Sequence, residues 1–422
     1  MVQKGLLITF EQYPTESIFF KYFTIALLSL VSRKLTLKTM IKNVTNALRA
    51  SLMLGLTVST ASVFAQQTRI PSPAIQFLTI SPDARSAGMG DAGVAISPGD
   101  GDANSIYWNP GKLPFAGKDM GVSLSYSPWL RQLVSDMGIL SGSFYKKIKG
   151  NQVLGVSINL FDQGLFQATD ANGQSLGNFN SKEYAIGITY SRKLSEKLGL
   201  GVNLKYINSS LLSGLSTTAL PFVPQPASTV AADIGIFHTS KSTGSWNTNW
   251  GVMISNISGR VSYGGSESNF IPTNFKAGIA AIKTIDAHNR LTLTLDANKL
   301  MVPTPVVVNG KLEQPTTAIG GILGSFGDAP DGFGEELKEV NLSFGAEYVY
   351  NDMFALRTGY FHRSTDKGGN PYFTAGFGVR LEKKYGLDFA YLIPAGSGNP
   401  LAQTLRISLH ANFNTAPKVI AN

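Results

Sequence analysis

LAQTLRISLHANF, residues 401–413, alternates almost without a break. On an extended chain Leu405, Ile407, Leu409, Ala411 and Phe413 fall on one face, and Arg406, Ser408, His410 and Asn412 on the other. One such strand would suit a soluble sandwich, so the weight rests on how often the pattern recurs. Val340, Leu342, Phe344, Ala346, Tyr348 and Tyr350 oppose Asn341, Ser343, Gly345 and Glu347. Leu291, Leu293 and Leu295 oppose Thr292, Thr294 and Asp296, and Leu198 to Tyr206 alternates with Gly199, Gly201, Asn203 and Lys205.

Outward from these, the spacing predicts fourteen strands, near 120–127, 138–146, 152–161, 182–193, 197–208, 229–240, 246–256, 273–283, 290–299, 338–350, 353–362, 372–382, 385–393 and 401–413. Most are of the length a tilted strand needs to cross a bilayer. Their connections alternate between short turns (147–151, 194–196, 241–245, 284–289, 351–352, 383–384) and longer loops (127–137, 162–181, 209–228, 257–272, 300–337, 363–371, 394–400). Barrels of the outer membrane have short periplasmic turns and long extracellular loops, and a sandwich has no reason to alternate in this way. The expected fold is all-β: a 14-stranded antiparallel transmembrane β-barrel in the cell outer membrane. It would close on itself because lipid leaves no partner for an open edge. Apolar faces would turn to lipid and Gly, Ser, Asn and Thr faces to the lumen. Tyr126, Trp129, Tyr145, Tyr190, Tyr206, Trp246, Trp250, Tyr348, Tyr350, Tyr360 and Tyr391 would form the interfacial girdles.

Composition agrees with an outer face that meets something other than water. Of the 422 residues only 15% are charged, 44 are glycine, 10% are aromatic and none is cysteine. A soluble domain carries roughly 25% charge. Without cysteine there is no disulfide, thiolate metal site or thiol nucleophile. The net charge of +9 is concentrated at the start, where residues 1–65 hold seven Lys/Arg against two Asp/Glu. The remainder is only mildly basic, and nucleic acid is not an expected partner.

Residues 1–65 divide into an over-extended start and, over 40–65, a secretory signal. Lys42 and Arg49 precede the apolar run Leu52–Val58, and Val63-Phe64-Ala65 forms a small-residue cleavage pattern. Residues 66–118 then form a glycine-rich segment ahead of a barrel over 119–413 and a tail over 414–422. In that segment GMGDAG, residues 88–93, matches the dinucleotide-binding spacing G-x-G-x-x-G. Such a turn needs a buried strand before it and a helix after it. Pro82 and Asp83 interrupt the first, and Ser97-Pro98-Gly99 ends any helix almost at once. The glycines are better read as tight turns and close backbone approach to a barrel wall, with the segment folded inside or beneath the barrel as a hatch.

SAGMGDAGVA (86–95) followed by DANSIYWNPGKL (102–113) resembles the hatch of FadL-type outer-membrane proteins, a fourteen-stranded family. Within it, residues 74–140 resemble the PorV family of the type IX secretion system of Bacteroidetes-type bacteria. The Ser127-Pro128-Trp129-Leu130-Arg131 run is the most specific piece, while the inserted Gly99-Asp100-Gly101 and Gly111 in place of Ala depart from the pattern. The resemblance implies structural hatch positions at Gly88, Gly90, Asp91, Gly93, Asp102, Asn104, Trp108, Asn109 and Pro110. Trp129, Leu130 and Arg131 are candidate partner contacts. It further implies a non-enzymatic protein that binds the C-terminal domain of secreted cargo and carries it from a translocon channel subunit to a cell-surface sortase. The alternative is a FadL-type transporter of fatty acids or other hydrophobic compounds.

No catalytic, cofactor or metal site is expected. His238, His288, His362 and His410 are scattered without ligand spacing, and no serine sits in G-x-S-x-G. The acidic run 327–339 lacks the spacing of a calcium loop and reads as solvated charge. Lys205, Asp233, Asp296, Glu347, Arg357, Arg380, Asp388 and Arg406 face the lumen and would pair across it or with the hatch. The long, weakly charged loops 209–228 and 300–323 are candidate docking surfaces.

Overall fold

The computed structural model describes residues 70–130, 136–149, 151–169, 173–211, 222–240, 246–308, 311–313, 315, 317–396 and 404–415. The expected signal, residues 66–69 of the expected hatch, Arg131 and most of the C-terminal tail lie outside these.

Fourteen strands form one closed wall: β1 (Met120–Pro128), β2 (Gly138–Lys149), β3 (Gln152–Thr169), β4 (Ser175–Lys193), β5 (Leu198–Ser209), β6 (Ala227–Ser240), β7 (Trp246–Ser258), β8 (Asn274–Thr284), β9 (Asn289–Leu300), β10 (Val340–Tyr350), β11 (Phe354–His362), β12 (Tyr372–Leu381), β13 (Tyr385–Pro394) and β14 (Leu405–Phe413). Each pairs antiparallel with its neighbour in the chain. The wall seals where β1 meets β14, with Met120 opposite Phe413 and Tyr126 opposite Ile407.

Polarity is inverted relative to a soluble protein. In β1 Leu124 is 49% exposed while its neighbour Ser125 is 2% exposed. In β14 Arg406 and Ser408 are buried and Leu409 is exposed. Apolar side chains face outward because lipid solvates them, and polar ones face a lumen that supplies partners.

Three local expectations change. First, much of 162–181 is strand: β3 and β4 run to 18 and 19 residues. A register shift between Asp162 and Leu165, with Gly164 at φ 77°, absorbs the break in alternation. This part reaches past the length a membrane requires, so nothing demands an apolar outer face and the periodic signal fades. Second, Tyr145 is fully buried and its hydroxyl donates to the Lys118 carbonyl, 3.3 Å away. It faces the lumen because it is one residue out of phase with the outward Phe144. Third, the connection between β9 and β10 contains the hairpin Val306–Val308/Lys311–Glu313 and two short helices, Ala318–Gly324 and Phe333–Lys338.

Ahead of β1, residues 70–119 fold as short turns and single-turn helices, among them α1 (Ala84–Ala87) and α2 (Ser105–Trp108). Asp83 caps α1 by accepting from Ser86 N at 2.8 Å. The segment touches inward groups on every strand of the wall, so it lies within the barrel. It reaches Ser123 on β1, Gly155 on β3, Ser191 on β4, Asn249 on β7, Asp296 on β9, Glu347 on β10 and Ser408 on β14.

Candidate functional site

Close approach begins with glycine. Gly90 adopts φ +69°, and a Cβ there would fall 2.8 Å from the backbone of Phe344 and Tyr360. The wall answers with its own glycine, since a Cβ at Gly359 would fall 2.2 Å from Gly90 N. Gly88 packs in the same way on Gly376, and Gly93 lies beneath the Trp108 ring, 2.2 Å from where its Cβ would stand. Backbone meets backbone here, which leaves no room for a nucleotide.

Polar side chains then fix the segment. Asp91 accepts from Arg406 Nη1 at 2.7 Å and from the Tyr372 hydroxyl. Trp108 Nε1 donates to the buried Asp83, and Asn104 Nδ2 donates to Ser123 Oγ at 3.0 Å. Asn109 donates to the Ile236 carbonyl at 2.9 Å, and the Pro110 carbonyl accepts from Ser191 at 2.8 Å. Asp102 accepts from Asn104 N at 3.1 Å and stands 3.8 Å from Arg85 Nη1. Of the nine positions expected for a hatch, Gly88, Gly90, Asp91, Gly93, Asn104, Asn109 and Pro110 meet the wall, while Asp102 and Trp108 bond to Arg85, Asn104 and Asp83 of the segment itself.

Arg85, which no motif singles out, is the strongest tie. It grips Glu347 with Nε at 3.1 Å and Nη2 at 2.9 Å. Glu347 also accepts from Arg357 at 2.7 Å, and Arg357 continues to Asp388 at 2.8 Å, which Arg380 binds at 2.7 Å. Charges buried this deeply are tolerable only when paired and hydrogen-bonded. Lys112 is buried in the segment itself and donates to the Gly93 carbonyl at 2.6 Å. Burial lowers its pKa to about 8.

The long-loop rim is built differently. Ile319 is 71% exposed, Leu323 66% and Phe333 77%, with Phe326 and Leu337 also exposed. The acidic run is only partly solvated charge: Asp331 is exposed, but Glu336 and Glu339 are buried against Lys299, at 2.8 and 2.7 Å. Lys367 adds a contact to Glu339 at 2.9 Å. Asp328, Glu336 and Glu339 are close enough to share a metal ion, but these two ammonium groups already supply the compensating charge.

Trp129 and Leu130 do not project from the rim. Both are half-buried against the cluster containing Ile75, Phe77 and Leu78, and the Arg406 guanidinium stands 5.8 Å from the Trp129 ring centre. Beside them a cavity of about 430 Å³ sits between the segment and the long-loop ends of the strands, bordered by Lys276, Arg363, Arg406 and several asparagines. Sequence reasoning missed Lys276 and Arg363, because nothing in their local pattern says that they share a cavity.

A family model described as type IX secretion system protein PorV matches residues 63–307, more than half of the chain. No curated protein sequence matches significantly. Among solved structures, the Ralstonia pickettii toluene transporter TbuX is similar at 13% identity over 79% of this chain and 98% of that one, with a TM-score of 0.47. The Pseudomonas putida toluene transporter TodX is similar at 12% identity over 77% and 95%, with a TM-score of 0.44. A Pseudomonas aeruginosa FadL homologue is similar at 10% identity over 79% and 98%, with a TM-score of 0.43. Likenesses this distant say nothing about what the chain carries.

Proposed function

The chain belongs to the PorV family of type IX secretion proteins, and from that premise we propose that it is a docking protein without catalytic activity. In this reading it binds the C-terminal domain of secreted cargo at its long-loop face, takes it from the translocon channel subunit and delivers it to the cell-surface sortase. The observation that carries the reading is the contrast between a lumen packed with the N-terminal segment and a rim that leaves Ile319, Leu323, Phe326, Phe333 and Leu337 exposed. Large apolar side chains left exposed on a loop mark an interaction site. The filled lumen suits a protein that passes nothing large through itself.

The transporter reading needs an apolar pocket. The cavity beside the segment sets two arginines, a lysine and asparagines among apolar groups such as Ile80, Trp129, Leu300 and Phe361, so its charges suit a neutral hydrocarbon poorly.

Gentle-detergent capture of the tagged protein from its native outer membrane, followed by mass spectrometry, tests the proposal. Secreted proteins sharing one C-terminal domain, together with a translocon or sortase subunit, are the expected catch. Recovery of the barrel alone with a co-purifying hydrophobic molecule would overturn the docking reading in favour of transport.

A further inference from the structure

The cavity at the long-loop end of the lumen holds more positive charge than its surroundings balance. Lys276, on β8, is 7% exposed and borders the cavity. Among the described residues it has no ion pair and no hydrogen bond. Its ammonium lies instead 4.6 Å from the Tyr107 ring centre and 4.9 Å from that of Trp108. Aromatic faces stabilise a cation but leave its N–H groups without acceptors. None of the acids nearest in charge pairs with it among the described residues. Asp233 pairs with Lys205 at 2.8 Å and Asp91 with Arg406 at 2.7 Å, while one oxygen of Asp296 accepts from both Gly93 N and Val94 N, at 2.7 and 2.8 Å, and its other oxygen has no hydrogen bond among the described residues.

Arg363 borders the same cavity just past the end of β11, half-buried, and it too has no ion pair among the described residues. Two cations without counter-ions, one of them buried, are costly unless something anionic joins them. Asn298 and Asn341 add amide groups to the wall, and they donate and accept as readily as a peptide bond does.

We propose that this cavity is a carboxylate-binding site, entered from the long-loop side, in which Lys276 and Arg363 are the counter-ions. Arg363 can grip both carboxylate oxygens in a fork, and the Lys276 ammonium closes on one of them. The amide-bearing wall favours a carboxylate at the end of a short peptide, and an aliphatic acid would present the same charge. The proposal goes beyond cargo docking and stands without it.

The test is calorimetric titration of the full-length protein in detergent micelles. The probes are a pentapeptide with a free C-terminus, the same peptide amidated, and butanoate. Variants Lys276→Met and Arg363→Met are measured beside the parent protein, and heat-modifiable gel mobility reports that each barrel is intact. Saturable binding of the free peptide is expected, lost on amidation and weakened about tenfold or more in each variant. Butanoate binding with the same variant sensitivity, without peptide binding, would support the site and assign the carboxylate to a small acid. Equal binding of free and amidated peptide, unchanged binding in both variants, or no saturable binding of either acid would overturn it. Cargo capture that fails while peptide binding succeeds would count against the docking reading alone.

Discussion

The N-terminal segment and the β9–β10 loop both lie outside the barrel strands, and they treat polarity in opposite ways. In the segment Met89, Ile106 and Leu113 are buried and the ionic groups reach across to the wall. In the loop the carboxylates of Glu336 and Glu339 are buried on lysines while Ile319, Leu323 and Phe333 face out. Both spend paired charge to hold their shape. Only the segment is finished as a surface, whereas the loop has tied down its polar side and left its apolar side uncovered. Rigidity and incompleteness together are what a docking face requires, since a preordered loop loses less entropy when a partner arrives.

The hardest blow to this contrast is at Glu347. Glu347→Ala leaves Arg85 and Arg357 without their shared carboxylate, and should cost about 3–5 kcal/mol. Urea unfolding in detergent measures the loss, and a cycle with Arg85→Ala isolates the part that ties the segment to the wall. A loss under about 1 kcal/mol would mean that the segment is held by packing and that its charges are incidental.

A subtler probe is Lys112. Its pKa in the fold is about 8, below the 10.5 of an unconstrained lysine. Between those values the unfolded chain binds the extra proton, so stability from this group rises with pH from about 8 upward and is flat below. The full increment is bounded near 3 kcal/mol, and Lys112→Met should remove the slope. A variant that keeps the slope would assign it to other groups.

The smallest effect on stability belongs to the loop. Phe333→Ser with Leu337→Ser should change unfolding by less than about 0.5 kcal/mol, because neither side chain is buried. The same pair should sharply reduce cargo recovery in the capture experiment. Undiminished recovery would move docking away from this surface.

The wall was legible because lipid imposes a rule at every second residue. Ser123, Ser125, Arg406 and Ser408 are inward as their alternation requires, and the bounds of most strands fall within two residues of the spacing. Where lipid stops acting, legibility stops too, as in the outer parts of β3 and β4. Tyr145 shows a different limit: an aromatic near a strand end suits a girdle by type, and only its phase places it inside. The site was harder. Arg85 and Glu347 are 262 positions apart in the chain, and Lys276 and Tyr107 belong to different elements. Closure decides which inward charges meet, and one-dimensional spacing does not carry that information. The glycines of GMGDAG were readable as backbone contacts, but their partners on the wall, Gly359 and Gly376, were not.

The seam ties the ring to its contents. The segment precedes β1 in the chain, and β1 is also the strand on which β14 completes the ring. A ring completed around an empty interior would leave Glu347 and Arg406, in a polar-walled tube, without Arg85 and Asp91. The wall that seals where β1 meets β14 thus depends on the segment for partners of its own inward charges, and losing the segment would be felt by the ring itself.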